Sequence, residues 1–389
     1  MIFRRSLVRS LKIVIVVFVI HSFLAFVQFL RPSDQVRHAQ NGTYRTLDTK
    51  DDLILSDAIT KASDSPRSKI SQSRVMKIMD FNPKPNCAHR LKFKKCEFDA
   101  CAMTTNPQEA DILMFNAVNM KDLIVPKRPI GQIWLLYTRE PITDRRMQYL
   151  NQSSYHGQFN WTRTYFSDST FLSIYGLLIP RKRPQKDYEQ IYHRKKYDVA
   201  WFVSKCSTSS RREDYVHRMS KFVQVHVYGG CGNFSCGSGG FDMGGSRDEC
   251  LHKLSEEYKF YLSFENSFCR DYVTEKFFNV FPDIDVIPVV RGGAVYERLS
   301  TLDTYINAKD FASPEKLGRY LQELSRNKTQ YLKMLQKKDE YDKIFPQHNA
   351  GCELCQAAHS RSPRHVFDDV YSWLTRPGNC WPPDDLSTN

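Results

Sequence analysis

Four polar residues crowd one short stretch of the chain: Asn266, Tyr272, Glu275 and Lys276. Lys276 offers a compact point charge suited to a phosphate. Glu275 can accept two hydroxyls of a ribose, and Asn266 can donate to a phosphate or sugar oxygen. Together they would suit a ligand carrying both phosphate and ribose. The plain alternative is a helix start with an ordinary exposed Glu-Lys pair, and pattern alone leaves both readings open.

The elements that must position these residues lie within residues 258–293. An aromatic run at 259–264 is long enough for a buried strand. A polar turn follows, and Asp271 or Thr274 can cap a helix. Phe277, Phe278 and Phe281 give that helix an apolar face, and Pro282 ends it. Residues 286–290 form a second β-branched strand before Gly292 and Gly293. Strand, helix, strand in about 30 residues is a βαβ unit, whose ligands sit outside the carboxyl ends of the strands. The first turn of the helix would offer free N–H groups to an anion. The literal D-x-D, Asp283-Ile284-Asp285, falls instead in the helix-to-strand turn, at the wrong end of the next strand for a metal to serve that site.

The stretch FENSFCRDYVTEKFFN followed by VIPVV resembles the signature of the α1,3-fucosyltransferases. That resemblance implies GDP-fucose as donor and carries the family's donor-binding positions onto Asn266, Tyr272, Glu275 and Lys276, with Tyr261 a further match. WFVSKCSTSSRREDYV is similar to a second family segment, which puts the phosphate-binding arginine at Arg212 and a donor-side position at Ser204, with Arg211 one residue away as a rival. A guanidinium can hold two phosphate oxygens at once, as a lysine cannot. In IWLLYTREP, Glu140 matches the family's carboxylate base, at the carboxyl end of a strand over 133–137. Arg139-Glu140-Pro141 stands where members usually have Glu-Ser-Pro, a departure in the alignment. FNWTRTYFSDST also looks like a family segment; Asp168 and Ser169 lie in it with no catalytic role assigned. The reaction implied is an inverting displacement that requires no metal, a divalent cation being at most a non-essential stimulant.

The fold class expected is α/β, two Rossmann-like domains in the GT-B architecture. Strands over 75–79, 112–115 and 133–137, with a helix-like 107–110, suggest a first domain over 75–184. It would be the acceptor domain and carry the base. A basic, proline-containing connection (181–196) leads to a donor domain over 185–389, with strands at 198–203 and 223–228 and a helix capped by Ser313 with Pro314 at its first turn.

Net charge is +13. Without a dense basic tract or zinc-finger spacing, it fits a phosphorylated substrate or membrane surface better than nucleic acid. Arg4, Arg5, Arg9 and Lys12 precede an apolar run over 13–30, which reads as a signal-anchor with residues 1–12 cytoplasmic and the rest luminal. Residues 31–74 are polar and serine-rich, as in a stem. Sequons at Asn41, Asn151, Asn160, Asn233 and Asn327, with eleven cysteines, agree with an oxidising secretory compartment. A single-pass type II Golgi membrane enzyme is the expectation. Cys352 and Cys355 would form disulfides, partners open, with the cluster Cys87, Cys96 and Cys101 as candidates. Cys231, Cys236 and Cys250 would tether a Gly-rich loop.

CGNFSC and the tail RPGNC resemble the invertebrate and plant enzymes that fucosylate the GlcNAc of the N-glycan core. The expected acceptor is therefore GlcNAc on glycoprotein N-glycans, with Lewis-type lactosamine and GalNAc-GlcNAc acceptors open. The rivals are a D-x-D metal-dependent glycosyltransferase and a catalytically inert luminal binding protein.

Overall fold

A computed structural model describes residues 74–83, 91–94, 96, 98–236, 247–345, 350–360 and 366–386. The expected cytoplasmic tail, signal-anchor over 13–30, nearly all of the stem, Asn41 and Cys87 lie outside them. Among the described residues no helix is long and apolar enough to cross a membrane.

Six strands build a first sheet: β1 (Met76–Asp80), β2 (Cys101–Met103), β3 (Ile112–Asn116), β4 (Ile133–Tyr137), β5 (Trp161–Thr164) and β6 (Phe171–Leu172). They run in the order β2-β1-β3-β4-β5-β6 with every pairing parallel. Strands covered on both faces read as continuous apolar runs rather than alternations, and ILMFN in β3 and IWLLY in β4 are buried throughout. The expected helix over 107–110 is a turn. Pro107 limits what four residues could form, and Gln132 Nε2 donates to the Pro107 carbonyl at 2.7 Å and that of Ala110 at 2.8 Å, outside any helical ladder.

After β7 (Leu177–Pro180), α1 (Tyr188–Arg194) leads into the second sheet. Its elements are β8 (Tyr197–Phe202), α2 (Arg212–Met219), β9 (Val225–Tyr228), α3 (Arg247–Glu257), β10 (Tyr258–Phe264), the short β11 (Phe268–Cys269), α4 (Glu275–Phe278), β12 (Ile287–Arg291) and β13 (Ile306–Asn307). The sheet order is β13-β12-β10-β8-β9, again all parallel. By order of appearance the first sheet runs 2-1-3-4-5-6 and the second 2-1-3-4-5, so each reverses direction between its first and third strands. Ligands of such sheets bind at that reversal, outside the carboxyl ends. In the second sheet the reversal lies between β8 and β10.

α5 (Pro314–Arg326) begins as expected: the Ser313 side chain accepts from Lys316 N–H, and Pro314 occupies the first turn, where its missing N–H is harmless. α6 (Lys328–Lys338) follows, and β14 (Tyr341–Ile344) pairs antiparallel with β7, carrying the chain back to the first sheet. There α7 (Ala350–Ser360) buries Leu354 and Ala357 with Ile78, Ile112 and Leu135. α8 (Val370–Thr375) buries Val370 and Leu374 with Phe115 and Trp134. β15 (Cys380–Trp381) then pairs with β11. This corrects the expected division at 184/185: α7 and α8 pack on the first sheet, because their apolar residues complete that core.

Disulfides Cys96–Cys352 and Cys101–Cys355 fasten α7 beside β1 and β2. Cys206–Cys231 and Cys236–Cys250 tether the Gly-rich loop, and Cys269–Cys380 joins β11 to β15. Of the sequons, Asn151, Asn233 and Asn327 are exposed. Asn160 is a correction. It is buried, and its side-chain oxygen accepts the Trp134 N–H at 3.0 Å and a 2.5 Å bond from Arg128. A glycan there would displace part of the first core.

Replacing Cys352 and Cys355 together by Ser should lower unfolding stability by about 2–5 kcal/mol, the usual range for removing native cross-links. Denaturant titration of the full chain checks this, and an unchanged midpoint would show that α7 holds its place without them.

Candidate active site

The loop after β8 folds back onto the carboxyl end of β10. Ser210 N–H donates to the Asn266 carbonyl at 3.0 Å, and its hydroxyl donates to the Glu265 carbonyl at 2.7 Å. Arg212 Nη1 donates to the Phe264 carbonyl at 2.7 Å, and its guanidinium lies 5.7 Å from the Trp201 ring centroid. Arg212 is 3 % exposed, and burial lowers its pKa. Its Nε is buried and has no hydrogen-bond partner among the described residues, and the same is true of Asn266 Oδ1. Two unsatisfied polar atoms at the reversal point are costly unless something binds them. Arg211 takes a left-handed φ of 50° and pairs with Asp214 at the surface, so Arg212 is the residue that turns inward. Ser204 is exposed at the end of β8. The turn beside it depends on Gly229, at φ +93°, where a Cβ would lie 2.6 Å from the Val203 carbonyl.

Downstream, the geometry differs from the expected anion-binding helix. α4 is a single turn, and the N–H groups of Lys276 and Phe277 already bond Thr274. Thr274 N–H donates to Glu265 Oε1 at 2.8 Å, and its hydroxyl lies 2.9 Å from Oε2 while capping Lys276 N–H. A single turn sums few peptide dipoles, so it offers a phosphate little by itself. Lys276 Nζ sits 3.4 Å from Glu265, 3.2 Å from Glu275 and 2.8 Å from the Thr274 hydroxyl. Burial works against the lysine charge, yet the two carboxylates raise its pKa. Burial raises that of Glu265, with Lys276 acting against it. The Glu265 charge also acts on Arg212, opposing the effect of burial there, so Lys276 and Arg212 share this buried carboxylate. Glu265 was missed from sequence; the signal was a carboxylate directly following a buried strand.

Tyr272 reaches the other sheet. Its ring lies 4.8 Å from that of Tyr165 and 6.4 Å from that of Tyr175. Burial pushes the Tyr272 and Tyr175 phenols well above their usual range, and the charge of Glu140 adds to both shifts. Glu140 therefore lies electrostatically close to the second-sheet site. It follows β4, where its N–H donates to Thr138 Oγ1 at 3.0 Å, and no hydrogen bond or ion pair to its carboxylate occurs among the described residues. Beside it the Arg139 guanidinium stacks 3.7 Å over Tyr175. The Thr143 and Ser267 hydroxyls meet at 2.5 Å, joining the loops after β4 and β10. Tyr261 differs in setting: it is 2 % exposed in the core behind the site, 5.5 Å from Phe202. Asp168 bridges Arg270, at 2.7 Å, and Arg376, a latch between the lobes, and Ser169 bonds Thr164 beside it.

The D-x-D is engaged elsewhere. Asp285 pairs with Lys186 at 2.8 Å and Arg194 at 2.6 Å, and Asp283 faces Arg181, so these carboxylates anchor the basic connection. Among the described residues Cys101, Cys355 and His359 cluster closely enough for a metal, but the two sulfurs are bonded to each other.

Residues 192–373 match the family model "Glycosyltransferase family 10 (fucosyltransferase) C-term", and residues 65–176 match "Fucosyltransferase, N-terminal". The chain belongs to the family 10 fucosyltransferases. Its relatives include glycoprotein 3-alpha-L-fucosyltransferase A of Drosophila melanogaster, 32 % identical over 307 residues, covering 74 % of this chain and 56 % of that protein. Alpha-(1,3)-fucosyltransferase C of the same fly is 31 % identical over 288 residues, covering 68 % and 65 %. The chain thus spans only 56 % and 65 % of these two relatives. A crystal structure of an α1,3-fucosyltransferase with GDP-fucose aligns with 80 % of this chain and 97 % of that one, at 15 % identity and a TM-score of 0.49.

Thr274→Val should cost about 1–2 kcal/mol, since it removes the cap of α4 and strips donors from a buried carboxylate. Thr274→Ser should recover most of that in urea unfolding. Equal stability of the Val variant would mean that Glu265 does not depend on this hydroxyl.

Proposed function

We propose that this fucosyltransferase-family chain moves fucose from GDP-fucose to a GlcNAc hydroxyl of glycoprotein N-glycans, in α1,3 linkage with inversion. The observation that carries the donor reading is the pair of buried, unpartnered atoms, Arg212 Nε and Asn266 Oδ1, at the reversal between β8 and β10. In this reading the two parallel sheets are the halves of a GT-B fold. Arg212 holds the diphosphate, with Lys276 helping as its two carboxylates shift towards other partners. Glu275 takes ribose hydroxyls, Ser204, Asn266 and Tyr272 line the donor, and Tyr261 backs it from the core.

The acceptor hydroxyl attacks the anomeric carbon from the face opposite the diphosphate. Its proton passes to the Glu140 carboxylate as the new C–O bond forms. The bond from the anomeric carbon to the phosphate oxygen breaks, and its electron pair stays on departing GDP, whose growing charge Arg212 offsets. Glu140 suits the role of base because its carboxylate has no internal partner to surrender among the described residues. Arginine and lysine supply the positive charge, so this route requires no metal.

The glycoprotein acceptor is supported by the CGNFSC and RPGNC segments and by the name of the 32 % identical fly relative. Five disulfides favour an oxidising lumen, in keeping with a type II Golgi membrane enzyme anchored by residues 13–30.

The test is transfer from GDP-fucose by the full chain to N-glycan, lactosamine and GalNAc-GlcNAc acceptors, with other nucleotide sugars as controls. Transfer from GDP-fucose to N-glycan GlcNAc is expected; turnover only with another donor would refute the proposal. Glu140→Gln should slow transfer by about 10²–10⁴-fold while GDP binding persists. Near-native turnover in that variant would remove Glu140 as the base.

A further inference from the structure

The last described residues cross the carboxyl edge of the second sheet, beyond both family matches at 65–176 and 192–373. β15 pairs with β11 and is bonded to it through Cys269–Cys380. Arg270 N–H donates to the Asn379 carbonyl at 2.8 Å, and Arg218 Nη1 to the Leu386 carbonyl at 2.9 Å. Between these points, Asp385 meets Arg291.

Arg291 ends β12 and is only 2 % exposed. Its guanidinium is held between the rings of Tyr215 and Phe268, at 4.6 and 4.7 Å from their centroids. Asp385 accepts from Nε at 2.7 Å and from Nη2 at 2.6 Å, a two-point contact that fixes the plane of the fork. The remaining arm, Nη1, donates to the Ser210 carbonyl at 2.9 Å. Ser210 is the residue that clasps Glu265 and Asn266, and it stands two residues before Arg212. The Arg291 carbonyl itself accepts the Glu265 N–H at 2.9 Å. One buried fork thus joins the tail to both loops that carry the donor-site residues.

We infer that Asp385 is a positioning residue for the donor site, acting on Ser210 and Asn266 through the buried guanidinium of Arg291. The inference rests on the donor reading above. Without the Asp385 carboxylate, Arg291 is a buried cation with one carbonyl partner, and it must turn to find another. Its turning would release the Ser210 carbonyl and let the loop carrying Arg212 drift from the loop carrying Asn266. Small displacements of charged groups at a diphosphate weaken binding steeply.

The experiment is GDP binding by calorimetry on the full chain, with steady-state kinetics for donor and acceptor. Asp385→Asn should weaken GDP binding about tenfold and raise the KM for GDP-fucose to match, leaving the acceptor KM unchanged. Asp385→Glu should recover most of the loss. The double variant Arg291→Met/Asp385→Asn removes both charges, and it carries the test if the single variant fails to fold. It should regain thermal stability yet still bind GDP as weakly as Asp385→Asn. If the double variant, or a folded Asp385→Asn, binds GDP like the native chain, the pair is only structural and the inference is wrong. If the native chain binds neither GDP nor GDP-fucose, the donor reading itself falls, which is a separate and recognisable result.

Discussion

The clasp between Ser210 and the end of β10 is the contact on which the rest of the site depends. Parallel strands finish with carbonyls and N–H groups that have no next residue to pair with, and buried backbone groups must be satisfied. Here the side chains and backbone of one loop satisfy them. Ser210 takes the Glu265 and Asn266 carbonyls, and Arg212 takes that of Phe264. Among the described residues, buried Arg212 Nε and Asn266 Oδ1 have no hydrogen-bond partner at this edge.

Charge around the clasp is nearly balanced within the protein. Glu265 and Glu275 hold Lys276, Asp385 holds Arg291, and Asp168 holds Arg270 and Arg376. Buried pairs of this kind add little net stability, but breaking one leaves a stranded charge. Their effect is to hold loops from distant parts of the chain at one edge. Arg212 bonds the Phe264 and Lys205 carbonyls beside Trp201, and the Glu265 charge works against the effect of its burial. Across from it, Glu140 keeps a carboxylate free of internal partners among the described residues, within electrostatic reach of Tyr175 and Tyr272.

Much of this was legible in the chain, for local reasons. β3, β4, β10 and β12 are continuous apolar runs because both faces of a parallel sheet are covered, and Ser313-Pro314 marks a helix start by its own chemistry. Asn266, Glu275 and Lys276 stood out as a polar cluster beside a strand, and the family resemblance singled them out and added Arg212. What stayed hidden depends on partners far away in sequence. Glu265 accepts the Thr274 N–H and hydroxyl at the start of α4, a buried contact that helix periodicity around residue 275 does not reveal. Asn160 reads as a sequon, yet its side chain is spent on Trp134 and Arg128. β5 carries Arg163 in a buried strand because Glu353, 190 residues away, pairs with it at 2.6 Å. The same holds for α7 and α8, whose apolar faces have meaning only against the first sheet.

The most direct test of the account is a crystal structure of the chain with GDP bound. The diphosphate is expected outside the carboxyl ends of β8 and β10, its oxygens accepting from Arg212 Nε, with a sugar hydroxyl of the nucleotide donating to Asn266 Oδ1. Electron density for GDP at the first sheet, or at the second with Arg212 Nε still unpaired, would contradict it.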